Sequence, residues 1–168
     1  MITNITIKIK YLSQENYNNF LDSIHFHNLT CSCGISGNLI KHAYYTRSVK
    51  TPEGLVALRI LRVKCKCCGK THALFPECIV PYSQILLEDH IKIINAYNHK
   101  TSFEPIMMHN LYIDESNIRH IIKKYVYHWK ERLTAFFISM DVNLSYNCIC
   151  SFKRQFMQIK CTPNIVSV

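Results

Sequence analysis

Hydrophobic and polar residues alternate over several stretches in the first half of the chain, which predicts β-strands. The alternation over residues 5–11 predicts a half-buried strand. Tyrosine and threonine favour extended structure over residues 39–49, and residues 55–64 have the pattern of a return strand. Between them, Thr-Pro-Glu-Gly at 51–54 places proline and glycine where a tight turn needs them. Residues 71–76 predict a short third strand.

In the second half of the chain the hydrophobic residues recur with the period of an α-helix. One short helix is also expected in the first half, after Ser13. That first helix has an apolar face made by Tyr17, Phe20, Leu21 and Ile24. A second helix is expected to end near Asn98, and a short third one follows Ser102. Asp114 is a candidate cap of a long helix. The apolar face of that long helix contains Ile118, Ile121, Ile122, Tyr125, Trp129, Leu133 and Phe136. Residues 152–160 indicate a further short basic helix.

The chain is strongly basic for its size. Its 168 residues include 20 lysines and arginines against 11 aspartates and glutamates, a formal net charge of +9. Such a charge attracts polyanions, nucleic acid first and an acidic membrane surface second. The charge is concentrated between residues 41 and 70, where Glu53 is the only acid. The basic residues there are Lys41, Arg47, Lys50, Arg59, Arg62, Lys64, Lys66 and Lys70.

Cysteine usage and hydropathy indicate a cytoplasmic protein. Nine cysteines are an odd number, whereas a secreted disulfide scaffold more often has an even one. The N-terminus lacks the basic start and continuous apolar run of a signal peptide. No window approaches the roughly 20 apolar residues that cross a bilayer. We therefore expect no membrane partner, and thiols that stay reduced and available to metal.

Two close cysteine pairs, each followed by glycine, predict a structural zinc site. They lie in Cys31-Ser-Cys33-Gly34 and in Cys65-Lys-Cys67-Cys68-Gly69. Glycine permits the positive φ of a turn whose backbone amides point at sulfur. The spacer is long enough for a two-stranded hairpin, so the pairs should meet at one end of a small sheet. We predict a zinc ribbon in which Zn²⁺ is held by Cys31, Cys33, Cys65 and Cys68.

The sequence leaves other ligand assignments open. Cys67 is adjacent to Cys68 and is expected to be a spare thiol, because neighbouring residues rarely both reach one tetrahedral ion. Since C-x-C is shorter than the common C-x-x-C, His42 or His72 could replace one sulfur. A second metal site near the C-terminus is not expected, because only three thiols are there and no glycine follows them. Those thiols are Cys148, Cys150 and Cys161.

A short helix, a tight turn and a longer basic helix are typical of a helix-turn-helix. In that motif the last helix lies in the major groove and its early residues touch base edges. The candidates for this role are Ser116, Asn117, Arg119, His120 and Lys123. On the ribbon, the residues expected to contact DNA are Arg59, Arg62, Lys64, Lys66 and Lys70. The alternative is an ordinary helical subdomain with a solvated basic face.

The predicted fold class is therefore α+β, a small zinc-ribbon β-sheet with four cysteine ligands, followed by a helix-turn-helix-like helical unit. We divide the chain into four segments. Residues 1–30 contain the N-terminal strand and helix, and residues 31–76 contain the ribbon. Residues 77–138 form the helical domain, after a connector bracketed by two prolines. Residues 139–168 form a tail to which the sequence assigns no role.

The stretch Leu61-Arg-Val-Lys-Cys-Lys-Cys-Cys-Gly-Lys-Thr-His-Ala-Leu-Phe-Pro76 resembles the zinc-ribbon N-terminal region of bacterial insertion-sequence transposases. Val80-Pro-Tyr-Ser83 and His42-Ala-Tyr-Tyr-Thr-Arg47 belong to the same resemblance, which covers about residues 31–133. It also extends to related short bacterial proteins of unassigned function. The resemblance implies a ribbon followed by a helix-turn-helix that recognises element ends.

The resemblance does not extend to transposase chemistry. Such enzymes carry a ribonuclease-H-like domain in which three carboxylates hold two metal ions. Beyond the expected helix-turn-helix core this chain has only Glu131 and Asp141, and 168 residues leave no room for that domain. The sequence also lacks a nucleophile elbow, a phosphate-binding glycine loop and an H-E-x-x-H helix. We therefore expect a protein without enzymatic activity.

The leading hypothesis is a non-catalytic, zinc-dependent protein that binds double-stranded DNA, either a transposase-like remnant or a regulator derived from one. A homodimer is compatible with it. The alternative is a zinc-stabilised protein-interaction module, whose exposed patch would contain Tyr125, Trp129, Phe136 and Phe137. A thiol-redox enzyme using Cys65 and Cys68 is disfavoured, because a redox C-x-x-C usually opens a helix and this one follows a strand.

Overall fold

A computed structural model of the chain describes residues 2–4 and 11–158. The chain divides into two compact units, with the boundary after Ile79. The first unit contains a sheet and a helix, and the second unit is helical. This is the α+β class that the sequence predicts. Of the strand predicted at 5–11, all but Tyr11, which lies in an exposed bend, falls outside the described residues.

The sheet of the first unit has the strand order β1-β4-β3-β2. Its strands are β1 (Ile2–Asn4), β2 (Leu39–Thr51), β3 (Gly54–Cys65) and β4 (Thr71–Pro76). Strands β2, β3 and β4 are antiparallel, and β1 adds to the edge of β4 in the parallel sense. The predicted hairpin and third strand are thus confirmed.

The turn residues fix the register of the long hairpin. The hydroxyl of Thr51 donates to the Gly54 carbonyl over 3.0 Å, and Gly54 has a φ of +124°, which glycine adopts without strain. With Thr51 opposite Gly54, the register continues to Leu39 opposite Cys65, with one irregularity between Lys41 and Ala43. The start of β2 and the end of β3 therefore lie side by side, and the two cysteine segments meet at this end.

Helix α1 (Gln14–Asp22) packs on the sheet through a buried tyrosine. Ser13 caps it, because its hydroxyl accepts from the Asn16 amide over 3.1 Å. The Tyr17 hydroxyl accepts from the Leu61 amide and donates to the Leu74 carbonyl, each over 3.0 Å. These two groups lie just beyond the last pair of the β3–β4 ladder, so Tyr17 joins the strands where direct pairing ends. A 3-10 helix over Phe26–Asn28 follows.

The second unit contains five helices in its described part. They are α2 (Leu87–Asn98), α3 (Glu104–His109), α4 (Glu115–His128), α5 (Lys130–Ala135) and α6 (Leu144–Phe152). Their shared core includes residues from the segment that the sequence assigned to a tail without a role. Those residues include Leu144, Cys148, Phe156 and Met157.

Two helix predictions are wrong. The long helix expected to reach Phe136 is two helices, because Trp129 leaves the helical conformation with φ −126° and ψ −32°. Its indole is 1% exposed and packs against Phe152 and Phe156, with ring centroids 5.9 and 5.4 Å away. The basic helix expected over 152–160 is absent from the described residues 153–158, because Lys153 ends α6 with a φ of +54° and the chain then turns into the core.

No helix in the part of the chain that the structure describes is both long and apolar enough to span a bilayer.

Candidate metal centre

The first cysteine pair lies in a tight loop just before β2. The Cys31 amide donates to the Ile35 carbonyl, and the Gly34 amide donates to the Cys31 carbonyl, both over 2.9 Å. Gly34 has a φ of +90°, which is the conformation that the sequence predicted for a glycine directly after a cysteine pair. The loop directs both sulfurs toward the end of the sheet.

The second pair lies in the turn between β3 and β4. The Gly69 amide donates to the Cys65 carbonyl over 3.0 Å, and Gly69 has a φ of +72°. The Lys66 amide donates to the Asn38 carbonyl over 2.9 Å, which ties this turn to the segment leading into β2. The two loops are therefore held together by the backbone as well as by their sulfurs.

Four sulfurs form one cluster at this end of the sheet. The Sγ atoms of Cys31, Cys33, Cys65 and Cys68 all lie within 4.8 Å of one another. Cys31 and Cys68 are 3.5 Å apart, and Cys33 and Cys65 are 3.9 Å apart. A tetrahedral zinc ion with Zn–S bonds of about 2.3 Å needs sulfurs about 3.8 Å apart. The cluster therefore has the size of a four-thiolate metal site.

Backbone amides stabilise negative charge on the cluster. Burial alone would raise the pKa of Cys31, but hydrogen bonds from the Cys33 amide and from His72 lower it to about 5. The Cys68 amide lowers the pKa of Cys65 and outweighs its burial. The Lys70 amide has the same influence on Cys68, but burial and the neighbouring sulfurs raise the pKa of that thiol to about 11. The cluster therefore combines a cysteine that loses its proton easily with cysteines that keep theirs. A divalent cation that binds the sulfurs would displace the remaining protons.

The three alternative ligands lie outside the four-sulfur cluster. The Cys67 thiol is exposed and accepts from the Asn38 side-chain amide over 3.4 Å. His42 is exposed on β2. His72 is 6% exposed, and its Nε2 lies 3.2 Å from the Cys31 sulfur. His72 therefore contacts one cysteine without joining the four.

The five ribbon residues predicted to contact DNA are all exposed, but they do not form one surface. Arg62 and Lys64 lie at the end of β3, beside Cys65. Lys66 and Lys70 flank the other cysteines of the second loop. Because side chains alternate along a strand, Arg59 projects to the face opposite Arg62 and Lys64.

Arg59 instead lines a groove between α1 and the hairpin. Its guanidinium lies 5.1 Å from the centroid of the Tyr44 ring, and Tyr44 is 49% exposed. The groove has a volume of about 420 Å³, and its other lining residues are Gln14, Asn18, Leu21, Asp22 and Lys41. Sequence reasoning missed this groove, because no local pattern indicates which strand a separate helix covers.

On α4 the predicted DNA-contacting residues have different surroundings. Ser116, Arg119, His120 and Lys123 are exposed. Asn117 is half-buried and forms a capping box: its amide donates to the Asp114 carboxylate, and its side-chain oxygen accepts from the Asp114 amide. Arg119 pairs with Glu115 at 3.5 Å, and both side chains are highly exposed. Burial, aided by Lys124 and Lys123, lowers the pKa of His120.

The cysteines near the C-terminus do not form a second cluster among the described residues. Cys148 is buried in the core of the second unit, and Cys150 is exposed. Cys161 lies outside the described residues.

Residues 31–121 match the family model described as "Domain of unknown function (DUF6431)", which covers more than half of the chain. The chain belongs to this family. The DUF6431 region begins at Cys31 and ends at Ile121 in the middle of α4, so it contains the whole sulfur cluster and His72. No curated protein and no solved structure matches the chain.

Proposed function

We propose that the protein is a non-catalytic, zinc-dependent DNA-binding protein. The observation that carries this proposal is the four-sulfur cluster, which adjoins the exposed side chains of Arg62, Lys64, Lys66 and Lys70 at one end of the sheet. Zinc would fix the two cysteine loops, and the cations beside them would contact the phosphates of a DNA duplex.

The donor set favours zinc in a structural role. Four thiolates at tetrahedral spacing suit zinc or an iron–sulfur centre, and a single ion held by four protein ligands has no open position for substrate. Such a closed site agrees with a protein without enzymatic activity. Because the thiols must stay reduced to bind metal, the cytoplasm is the proposed compartment.

The charge distribution supports a polyanionic partner. Unlike Lys92 and Arg119, which pair with acidic side chains, Arg62, Lys64, Lys66 and Lys70 form no ion pair with a residue that the structure describes. The exposed side chains of Arg119, His120 and Lys123 form a second polar surface on α4. The resemblance to transposase N-terminal regions adds to this proposal. It favours a regulator or a remnant of such an enzyme.

Salt dependence of binding tests the proposal. Fluorescence anisotropy with a mixed-sequence duplex, between about 50 and 200 mM salt, should show affinity falling steeply, by about 0.9 log units per phosphate neutralised for each log unit of salt. Removal of zinc should weaken DNA binding at a given salt concentration. A flat salt response, or equal affinity with and without zinc, would reject the proposal.

A protein-interaction module is the second candidate, supported by the two aromatic residues after α5. Phe136 is 56% exposed and Phe137 is 94% exposed. The other two aromatics predicted for this patch lie in the core, since Tyr125 and Trp129 are 4% and 1% exposed. If this patch forms a homodimer, light scattering should give a dimer mass for the wild type and a monomer mass for Phe137→Ser.

A further inference from the structure

His72 links strand β4 to the first cysteine loop. It lies on β4 opposite Val63 of β3 and is 6% exposed. Its Nε2 lies 3.2 Å from the Sγ of Cys31, which is itself buried. Among the hydrogen bonds of the described residues, His72 is the one side chain other than cysteine that contacts a sulfur of the cluster.

The geometry differs from that of a metal ligand. The cluster is complete with four sulfurs within 4.8 Å of one another, and it does not include His72. Four sulfurs fill the coordination sphere of a tetrahedral zinc ion, so no ligand position remains for His72. The Nε2 of His72, 3.2 Å from the Cys31 sulfur, is within hydrogen-bonding distance of it.

We propose that His72 is a positioning residue that keeps Cys31 in place as a metal ligand by donating its Nε2–H to the Cys31 sulfur. This inference rests on the proposed metal centre. Four thiolates around one divalent cation leave a net negative charge, and Cys31 and Cys65 carry the buried part of it. A donor on a buried thiolate offsets the cost of that charge, because a hydrogen bond to an ionised acceptor is about twice as strong as a neutral one.

The hydrogen bond from His72 also explains how β4 takes part in the site. Three of the four sulfurs can be positioned by their own loops, whose amides donate to Cys31, Cys65 and Cys68. His72 adds a contact from β4, a separate element, to the first loop. Outer partners of this kind fix the orientation of a ligand and typically contribute about 10- to 100-fold to metal affinity.

Two substitutions at this position separate the hydrogen bond from packing. His72→Leu removes the donor, whereas His72→Gln keeps an N–H at a similar reach. We expect zinc affinity, measured by competition with a chelator, to fall about 10- to 100-fold in His72→Leu and to recover in His72→Gln. His42→Leu, at an exposed histidine outside the cluster, is the matched control and should bind zinc like the wild type. Unchanged affinity in His72→Leu would overturn the proposal.

The absorption spectrum of the cobalt-loaded variants distinguishes a positioning residue from a ligand. The four-sulfur spectrum should be the same in the wild type and both His72 variants. A change that indicates loss of a nitrogen ligand would overturn the proposal while leaving a metal centre intact. If the wild type binds no metal at all, the proposed function fails instead, and the two failures are thus distinguishable.

A measurement on the unsubstituted protein avoids any effect of the variants on folding. Long-range ¹H–¹⁵N spectra of the zinc-loaded protein should show the His72 ring protonated at Nε2. A ring protonated only at Nδ1, with the Nε2 lone pair toward the metal, would contradict the proposal.

Discussion

The sulfurs of Cys31 and Cys68 lie 3.5 Å apart, although the two residues are 37 positions apart in the chain. The distance is set by the hairpin, whose register places Leu39 opposite Cys65. Each sulfur then needs only a short loop to reach the other. A site of this kind forms with the sheet, so metal binding and folding of the first unit should be coupled.

Cys68 and Cys67 are adjacent, and substitution of each by serine provides a matched pair. Cys68→Ser removes a member of the sulfur cluster, whereas Cys67→Ser removes an exposed thiol outside it. We expect Cys68→Ser to lose zinc to a chelator that leaves the wild type loaded, and Cys67→Ser to retain it. Metal analysis after dialysis measures both. Equal retention in the two variants would show that Cys68 is not a ligand.

Removal of the metal should affect the first unit alone. The only tryptophan, Trp129, is buried in the core of the second unit. We expect chelation to lower the melting temperature of the sheet. The amide signals of the sheet in NMR spectra at increasing temperature measure this change. The emission maximum of Trp129 should stay unchanged. A shift of that emission on chelation would contradict the assignment of the metal centre to the first unit.

The cations beside the cluster should contribute to DNA affinity. The double substitution Arg62→Gln and Lys64→Gln removes two exposed charges on one face of β3. It should weaken duplex binding. It should also reduce the slope of log K against log salt by about the amount that two phosphate contacts contribute. Lys92→Gln removes a cation of the second unit that pairs with Glu88 at 2.7 Å, and it is the control. Equal effects of the control and the double substitution would argue against a specific basic surface.

His90 should make the second unit sensitive to acid. Burial lowers its pKa most, and Lys124 and His120 add to the effect, so that the value falls from 6.5 to about 4. Because the folded protein disfavours the charged ring, the stabilisation is complete above pH 6.5 and is lost as the pH falls toward 4. The loss amounts to about 3 kcal/mol. Urea unfolding followed by Trp129 emission measures it.

The pH dependence should be smaller in His90→Leu than in the wild type. His99 is the matched control, since its Nδ1 donates to the carbonyl of Asn95, four residues earlier, as that of His90 does to Leu86, but His99 is exposed. His99→Leu should keep the wild-type pH dependence. If His90→Leu has the same dependence as His99→Leu, another group is responsible.

Tyr17 should stabilise the first unit by more than its packing. Tyr17→Phe keeps the ring but leaves the buried Leu61 amide and Leu74 carbonyl without the hydroxyl. An unsatisfied buried polar group costs about 1–3 kcal/mol. The melting temperature of the sheet should therefore fall, whereas Tyr44→Phe, at a half-exposed ring, should leave it unchanged. No difference between the two variants would mean that water replaces the hydroxyl.

Local patterns predicted the parts of the fold that depend on neighbouring residues. The turn at Gly54 and the positive φ of Gly34 and Gly69 follow from the residues themselves. The break at Trp129 depends on Phe152 and Phe156, which lie more than 20 residues further along the chain. A helical period cannot indicate such a contact, so the sequence predicted one helix where the structure has two.

The candidate site shows the same difference between local and distant contacts. The cysteine spacing predicted which four sulfurs meet. It left His72 as an alternative ligand, because spacing along the chain does not distinguish a metal ligand from a residue that forms a hydrogen bond to a ligand. The opposite orientation of Arg59 follows from strand alternation, but its stacking on Tyr44 depends on the register of the hairpin.

X-ray absorption at the zinc edge of the purified protein tests the metal centre most directly. We predict one zinc ion surrounded by four sulfur neighbours at about 2.3 Å. A protein without zinc, or a shell dominated by nitrogen and oxygen, would contradict the assignment of Cys31, Cys33, Cys65 and Cys68 as its ligands.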